Sequence, residues 1–212
     1  MKYKAIIFDL DGVTVFTDKY HYLAWKAVAD QEHIYFDETI NNRLRGVSRM
    51  DSLDIILEKA HKTYTQEEKE ELATQKNNIY RSYLAKMGPD DVSKEVRDTL
   101  TALKKADVLI ALGSSSKNAK FILNQVDLLS YFDKISDGNN ITKSKPDPEV
   151  FLKARDMLGL KSEECVVMED AIAGIDAGNR GEFDTIGILD ASHYEKSTYK
   201  VESFKEILNI VL

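Results

Sequence analysis

The chain has 212 residues, 43% of them hydrophobic and 31% charged, which is apolar enough to bury a core and excludes a disordered tail or a fibre. Its 36 acidic and 29 basic residues leave a net charge of −7, which argues against a nucleic-acid binder or a partner of anionic membranes. The one cysteine, Cys165, rules out an internal disulfide and fits a reducing compartment.

Residues 3–8 form a short apolar run that stops at Asp9, and two further runs, 108–112 and 165–168, stop at Gly113-Ser114 and at Glu169-Asp170. A fourth covers 185–189. Uninterrupted runs of this length predict strands buried on both faces, as in a parallel sheet. Cys165 opens the third run and reads as a small buried hydrophobe. Between the runs lie segments of helical period: 94–105, with Val96, Leu100 and Leu103 on one face, and 150–158, with Val150, Phe151, Ala154, Met157 and Leu158. The alternation predicts an α/β fold with a doubly wound parallel sheet.

One connection is too long for that pattern. From Asp9 to Ser114 the chain runs 105 residues, where a crossover needs about a dozen or more. The excess reads as helical. Residues 20–30 form one segment, and 48–60 another with Met50, Leu53, Leu57 and Ala60 in register. Thr65-Gln66-Glu67-Glu68 is a capping box opening a helix that runs to about Lys86, before Gly88-Pro89. The expected organisation is a catalytic core of residues 1–14 and 91–212 with a helical cap, 15–90, inserted. Segments near 13–18 and 87–92 would form a paired hinge. No run approaches the roughly 18 apolar residues of a membrane span, and the amino terminus lacks the marks of a signal peptide. A cytoplasmic protein is expected.

In an open parallel sheet the carboxyl ends of the strands line the ligand crevice. That edge collects Asp9, Asp11, Ser114, Ser115, Ser116, Glu169 and Asp170, with lysines from the loop 142–147 nearby. Closely spaced carboxylates repel unless a cation lies between them or one is protonated. Oxygen donors at this density suit Mg²⁺, and the hydroxyls and lysines suit a phosphoryl group. The set reads as a phosphoryl-transfer site with a carboxylate nucleophile. Each piece alone has a plainer reading: a solvated turn at Asp9 and Asp11, a helix cap in the serines, a helix start at Lys145-Pro146-Asp147-Pro148 with Asp147 as cap. Their order after successive apolar runs joins them.

Phe8-Asp9-Leu10-Asp11-Gly12-Val13, the Ser114 region, Lys145-Pro146-Asp147-Pro148 and Glu169-Asp170 resemble the four motifs of the haloacid dehalogenase superfamily. The resemblance covers the whole chain and implies a Rossmann-like core with a four-helix-type cap. Tyr20-His21 with Ala24-Trp25-Lys26-Ala27, Gly46-Val47-Ser48-Arg49, Lys76-Asn77 and Ser114-Ser115-Ser116-Lys117-Asn118 are similar to the β-phosphoglucomutase subfamily. Those enzymes interconvert β-glucose 1-phosphate and glucose 6-phosphate through β-glucose 1,6-bisphosphate, which is both intermediate and activator.

The resemblance implies that Asp9 is the nucleophile and Asp11 the general acid–base. It implies Mg²⁺ held by Asp9, Asp11 through its main chain, Asp170 and Glu169. Ser114, Ser115 and Lys145 would hold the transferring phosphate. Arg49, Ser116, Lys117 and Asn118 would hold the other phosphate. His21 and Lys76 would act from the cap, and Trp25, Gly46, Val47, Ser48 and Asn77 complete the substrate-binding set. Thr17 falls in the hinge. Two departures stand out: Phe16, where an aspartate is often found, and Ser115, where a smaller alanine is usual. The implied partner is a small sugar phosphate, and the expected state a monomer. A sugar-phosphate phosphatase of the same superfamily shares the core motifs and is the alternative. A phospho-accepting receiver domain is disfavoured by length and by the helical insertion.

Overall fold

The computed structural model describes residues 2–45 and 47–212. Two compact units emerge: Met1–Phe16 with Gly88–Leu212, and Thr17–Met87. The first is built on a parallel sheet of six strands in the order β3-β2-β1-β4-β5-β6. These are β1 (Ala5–Phe8), β2 (Leu109–Gly113), β3 (Lys134–Ser136), β4 (Cys165–Glu169), β5 (Asp184–Gly187) and β6 (Tyr199–Lys200). The second unit holds α1 (Asp18–Gln31), α2 (Glu38–Asn42), α3 (Arg49–Leu57) and α4 (Gln66–Leu84). Helices α5 (Lys94–Lys105), α6 (Ala119–Gln125), α7 (Glu149–Leu158), α8 (Ile172–Arg180) and α9 (Leu208–Val211) belong to the sheet unit.

The central strands β1, β2 and β4 are the continuous apolar runs, and Ala5, Ile6, Ile7 and Phe8 are fully buried. Ile7 pairs with Ala111 on one side and Val167 on the other. Ala5, Ile7, Ala111, Cys165 and Val167 pack with Val150, Phe151, Ala154, Ala177 and Phe183 of α7, α8 and the turn after it. Cys165 is a free, buried thiol whose pKa burial pushes up to about 12, so it is an inert core side chain. In the helical unit Trp25, Val28, Ala29, Leu53, Ile56, Leu72 and Ala73 form a separate core.

Several boundaries differ from the sequence expectation. Strands β3 and β6 were not foreseen: they are edge strands of three and two residues with Lys134 and Lys200 exposed, too short for a periodic signal. Helix α2 was missed for the same reason, being five residues long. The fourth run begins at Asp184 and stops at Gly187, because Leu189 adopts a φ of 54° and starts a 3₁₀ turn. Helix α3 is shorter than expected: Ser48 is its cap, and it ends at Leu57. Met157 leaves the buried face of α7 and is 40% exposed, in the last turn before the left-handed Gly159 ends that helix.

The capping box at Thr65 is formed: the Glu68 amide donates to Thr65 Oγ1 (3.2 Å), and the Thr65 amide to Glu68 Oε2 (2.8 Å). A cap of this kind contributes about 1 kcal/mol. Thr65→Ala therefore lowers the urea midpoint of the helical unit, read by tryptophan fluorescence from Trp25; an unchanged midpoint contradicts this account of the α4 start.

Candidate active site

The parallel ladder delivers Asp9, Ser114 and Glu169 to the carboxyl ends of three adjacent strands. The Asp9 amide still donates to Met168 O (3.0 Å), and the Ser114 amide to Ser136 O (3.1 Å). Both residues are therefore held by the sheet and not by a loose loop. Beyond Asp9 the chain folds sharply: Gly12 takes a φ of +79°, its amide donates to Val15 O (2.9 Å), and Thr14 Oγ1 donates to Leu10 O (3.1 Å). A Cβ on Gly12 would lie 2.2 Å from Asp170 Oδ2, so only glycine fits beside that carboxylate.

Lys145 joins two of the acids. Its Nζ donates to Asp9 Oδ1 (2.6 Å) and to Glu169 Oε1, and it is 3% exposed. Burial alone would lower the ammonium's pKa; the Asp9 and Glu169 carboxylates outweigh that and hold it above the ordinary lysine range. Burial pushes the Glu169 carboxyl up, while Lys145 opposes the shift. Glu169 Oε2 accepts from the amides of Asp170 (3.0 Å) and Ala171 (3.1 Å), which fixes the carboxylate plane. Asp9, Glu169 and Asp170 bring one carboxylate oxygen each to within 4.8 Å of one another. Three carboxyl groups stand beside one ammonium, and the donors are all hard oxygens. The triad suits a divalent cation.

The loop that carries Lys145 is pinned from both sides. Glu149 Oε2 accepts from the amides of Thr142 (2.9 Å) and Lys143 (2.7 Å), and Arg180 donates to Pro146 O (3.0 Å). Lys153 and those amides lower the Glu149 carboxyl to about 2. Helix α7 starts one residue later than the sequence suggested, with Pro148 at the cap position and Asp147 Oδ1 accepting from the Glu149 amide (3.0 Å). After β2, the Ser116 amide donates to Ser114 Oγ (3.2 Å) and the Asn118 amide to Ser116 Oγ (3.2 Å). Lys117 is exposed, and its carbonyl accepts from Asn139 Nδ2 (3.0 Å).

In the helical unit, His21, Trp25 and Lys76 meet. Lys76 Nζ lies 2.9 Å from His21 Nδ1, 4.9 Å from the Trp25 ring centre and 4.5 Å from that of Tyr80. An ammonium has only donors, so His21 Nδ1 accepts and the ring proton sits on Nε2. Burial, then the charges of Lys76 and Arg49, hold His21 well below its ordinary pKa. Arg49 opens α3, is itself lowered by burial, and donates to Asn77 Oδ1 (2.8 Å). Ser48 caps that helix, accepting from the Asp51 amide (3.2 Å). Val47 is half-buried, and Gly46 lies outside the described residues. Thr17 is buried and accepts from Tyr80 Oη (3.0 Å), whereas Phe16 is 60% exposed.

The haloacid dehalogenase-like hydrolase family matches residues 3–181. The chain belongs to that family. It is 42% identical over 187 residues to the β-phosphoglucomutase of Bacillus subtilis, covering 87% of this chain and 83% of that protein. It is 28% identical over 217 residues to a phosphorylated carbohydrates phosphatase of Thermotoga maritima, covering 98% of each. The crystal structure of β-phosphoglucomutase from Clostridium difficile superposes with a TM-score of 0.91 at 36% identity, over 97% of this chain and 93% of that one. Among the described residues no helix is long and apolar enough to cross a membrane.

Two residues escaped the sequence reading. Tyr80 carries no motif and contacts His21 only through the fold, with ring centres 4.1 Å apart. Gly174 faces Glu169 so closely that a Cβ would lie 1.9 Å from its carboxyl carbon. Gly174→Ala is therefore expected to displace the Glu169 carboxylate and weaken divalent-cation binding at least tenfold in calorimetric titration while circular dichroism is retained; unchanged affinity contradicts the placement of Glu169. A second outcome concerns His21, whose folded pKa lies below that of the unfolded chain. Its contribution to stability is full above about pH 6.5 and is lost as pH falls towards the folded value. His21→Gln should flatten that acid limb in urea titrations; an identical limb in both proteins excludes a neutral His21 in the folded chain.

Proposed function

We propose that this chain is a Mg²⁺-dependent β-phosphoglucomutase. The observation that supports it most is the strand-end acid–lysine cluster of the sheet unit, in a chain whose helical unit separately holds Arg49 against Asn77 and Lys76 against His21. The core alone serves phosphatase and mutase equally.

On this reading Mg²⁺ is held by Asp9, Asp170, Glu169 and the main chain of Asp11, and when bound it offsets the negative charge of the phosphoryl group. Asp9 attacks the phosphorus of the bisphosphate or the sugar phosphate and becomes an aspartyl phosphate as the sugar oxygen leaves. Asp11 donates a proton to that departing oxygen and, in the reverse sense, removes it from the attacking sugar hydroxyl. Lys145 and the loop at Ser114 and Ser115 hold the equatorial phosphoryl oxygens, where their donors strengthen as charge spreads over those oxygens. Lys145 suits this because Asp9 and Glu169 keep it charged though buried.

A mutase must present either end of its bisphosphate to Asp9. The phosphate not reacting therefore needs its own donors, and Arg49, Ser116, Lys117 and Asn118 fill that role. Arg49 fits because its planar fork grips phosphate in a bidentate way and Asn77 orients it. His21, held neutral, keeps an Nε2 proton to donate, and Lys76 supplies the positive charge beside it. Residues 15–90 act as a cap that excludes water during transfer, with Thr17 at one hinge. The protein acts as a cytoplasmic monomer, with a small sugar phosphate as its partner.

Asp9→Asn should abolish conversion of β-glucose 1-phosphate to glucose 6-phosphate, read in a dehydrogenase-coupled assay, with the fold intact by circular dichroism. Wild-type turnover in that variant overturns the nucleophile assignment. Arg49→Ala should lower mutase turnover by about a hundredfold or more and spare hydrolysis of a small aryl phosphate. An equal loss of both contradicts the second-phosphate role.

A further inference from the structure

The Lys145 ammonium has a third close partner besides its two carboxylates. It lies over the face of the Phe151 ring, 4.7 Å from the ring centre. Phe151 sits on the apolar face of α7 and is fully buried there with Val150 and Ala154. A leucine at this position would supply apolar volume but no π face.

The fold fixes this ring from several directions. Gly113 closes β2, and a Cβ there would lie 2.5 Å from Phe151 Cδ1 and 2.8 Å from Cε1, so the strand omits a side chain where the ring sits. Phe183 meets the ring nearly at a right angle, with centres 6.5 Å apart and planes at 75°. The Phe151 amide donates to Pro148 O (3.0 Å), which ties the ring to the loop that carries Lys145. Lysine and ring are therefore placed by the same segment of chain.

A buried ammonium ordinarily relies on counter-charges. On the proposed function neither counter-charge of Lys145 is constant, because Asp9 takes up a phosphoryl group and Glu169 helps to hold the cation. The attraction of a ring quadrupole for a cation depends on neither event. It is strongest where water is excluded, and the Lys145 side chain is 1% exposed.

We infer that Phe151 is a positioning residue whose ring face holds the Lys145 ammonium in place at the transferring phosphoryl group throughout the reaction. The inference rests on the phosphoryl-transfer reading above and adds to it a residue outside the motifs of the site.

The test replaces Phe151 in the full chain by 4-fluoro-, 3,5-difluoro- and 3,4,5-trifluorophenylalanine, introduced by nonsense suppression. Each fluorine withdraws charge from the ring face and changes its volume little. The same series at Phe183 is the control, because it alters the contact between the rings and not the ring beneath the ammonium. Steady-state kinetics read the conversion of β-glucose 1-phosphate to glucose 6-phosphate, and circular dichroism reads the fold. The expected result is a kcat that falls stepwise along the Phe151 series, by about threefold at the trifluoro ring, with KM little changed and no trend at Phe183. Phe151→Leu should lose about tenfold in kcat with its fold retained. An unchanged kcat across the Phe151 series overturns the inference and leaves the proposed function standing. A parallel decline in the Phe183 series assigns the effect to ring packing and also overturns it. A parent protein without turnover of β-glucose 1-phosphate overturns the proposed function, and the inference falls with it.

Discussion

The site depends on one ammonium, Lys145, held inside the protein between Asp9 and Glu169. A buried charge is tolerated only where partners offset its desolvation. Here those partners are supplied by two neighbouring strands, and the lysine by a distant loop. Removing Lys145 would leave the Asp9 and Glu169 carboxylates at the sheet edge without their shared counter-charge, and much of the surroundings serves to hold this cluster still. The amides of Asp170 and Ala171 fix Glu169, Glu149 and Arg180 fix the lysine's loop, and the ring of Phe151 lies 4.7 Å from the ammonium. A rigid cluster of known sign is what phosphoryl transfer needs, because its transition state is stabilised by charges that do not have to reorganise.

The two units divide the chemistry. The sheet unit supplies the acids, the lysine and the serine loop. The helical unit supplies a second cationic group built in a different way: Lys76 lies against two aromatic faces and a neutral histidine, with an arginine braced by Asn77. Aromatic faces stabilise a cation without neutralising it. A protein that only released phosphate would need the first set. On the proposed function, the second set would hold the end of the bisphosphate that is not reacting.

Much of this was legible in the residues, for physical reasons that also mark the limits. Strands β1, β2 and β4 are covered on both faces, so they read as uninterrupted apolar runs, and their polar ends stand out against them. The capping box at Thr65 is local chemistry and was readable without the fold. The edge strands β3 and β6 are not, because a strand of two or three residues has no period. The contact between Lys145 and Asp9 joins residues 136 apart in sequence; motif order suggested it, but no local pattern encodes it. Gly174 was invisible for a related reason: its role is the absence of a Cβ next to Glu169, and only the packing reveals that.

The central claim is that the phosphoryl group on Asp9 passes to a sugar hydroxyl and not to water. A phosphorus NMR time course with purified protein, Mg²⁺, β-glucose 1-phosphate and a trace of the 1,6-bisphosphate tests it directly. Growth of the glucose 6-phosphate signal with no inorganic phosphate is the predicted result. Inorganic phosphate rising as the substrate disappears would contradict the account and identify the protein as a sugar-phosphate phosphatase.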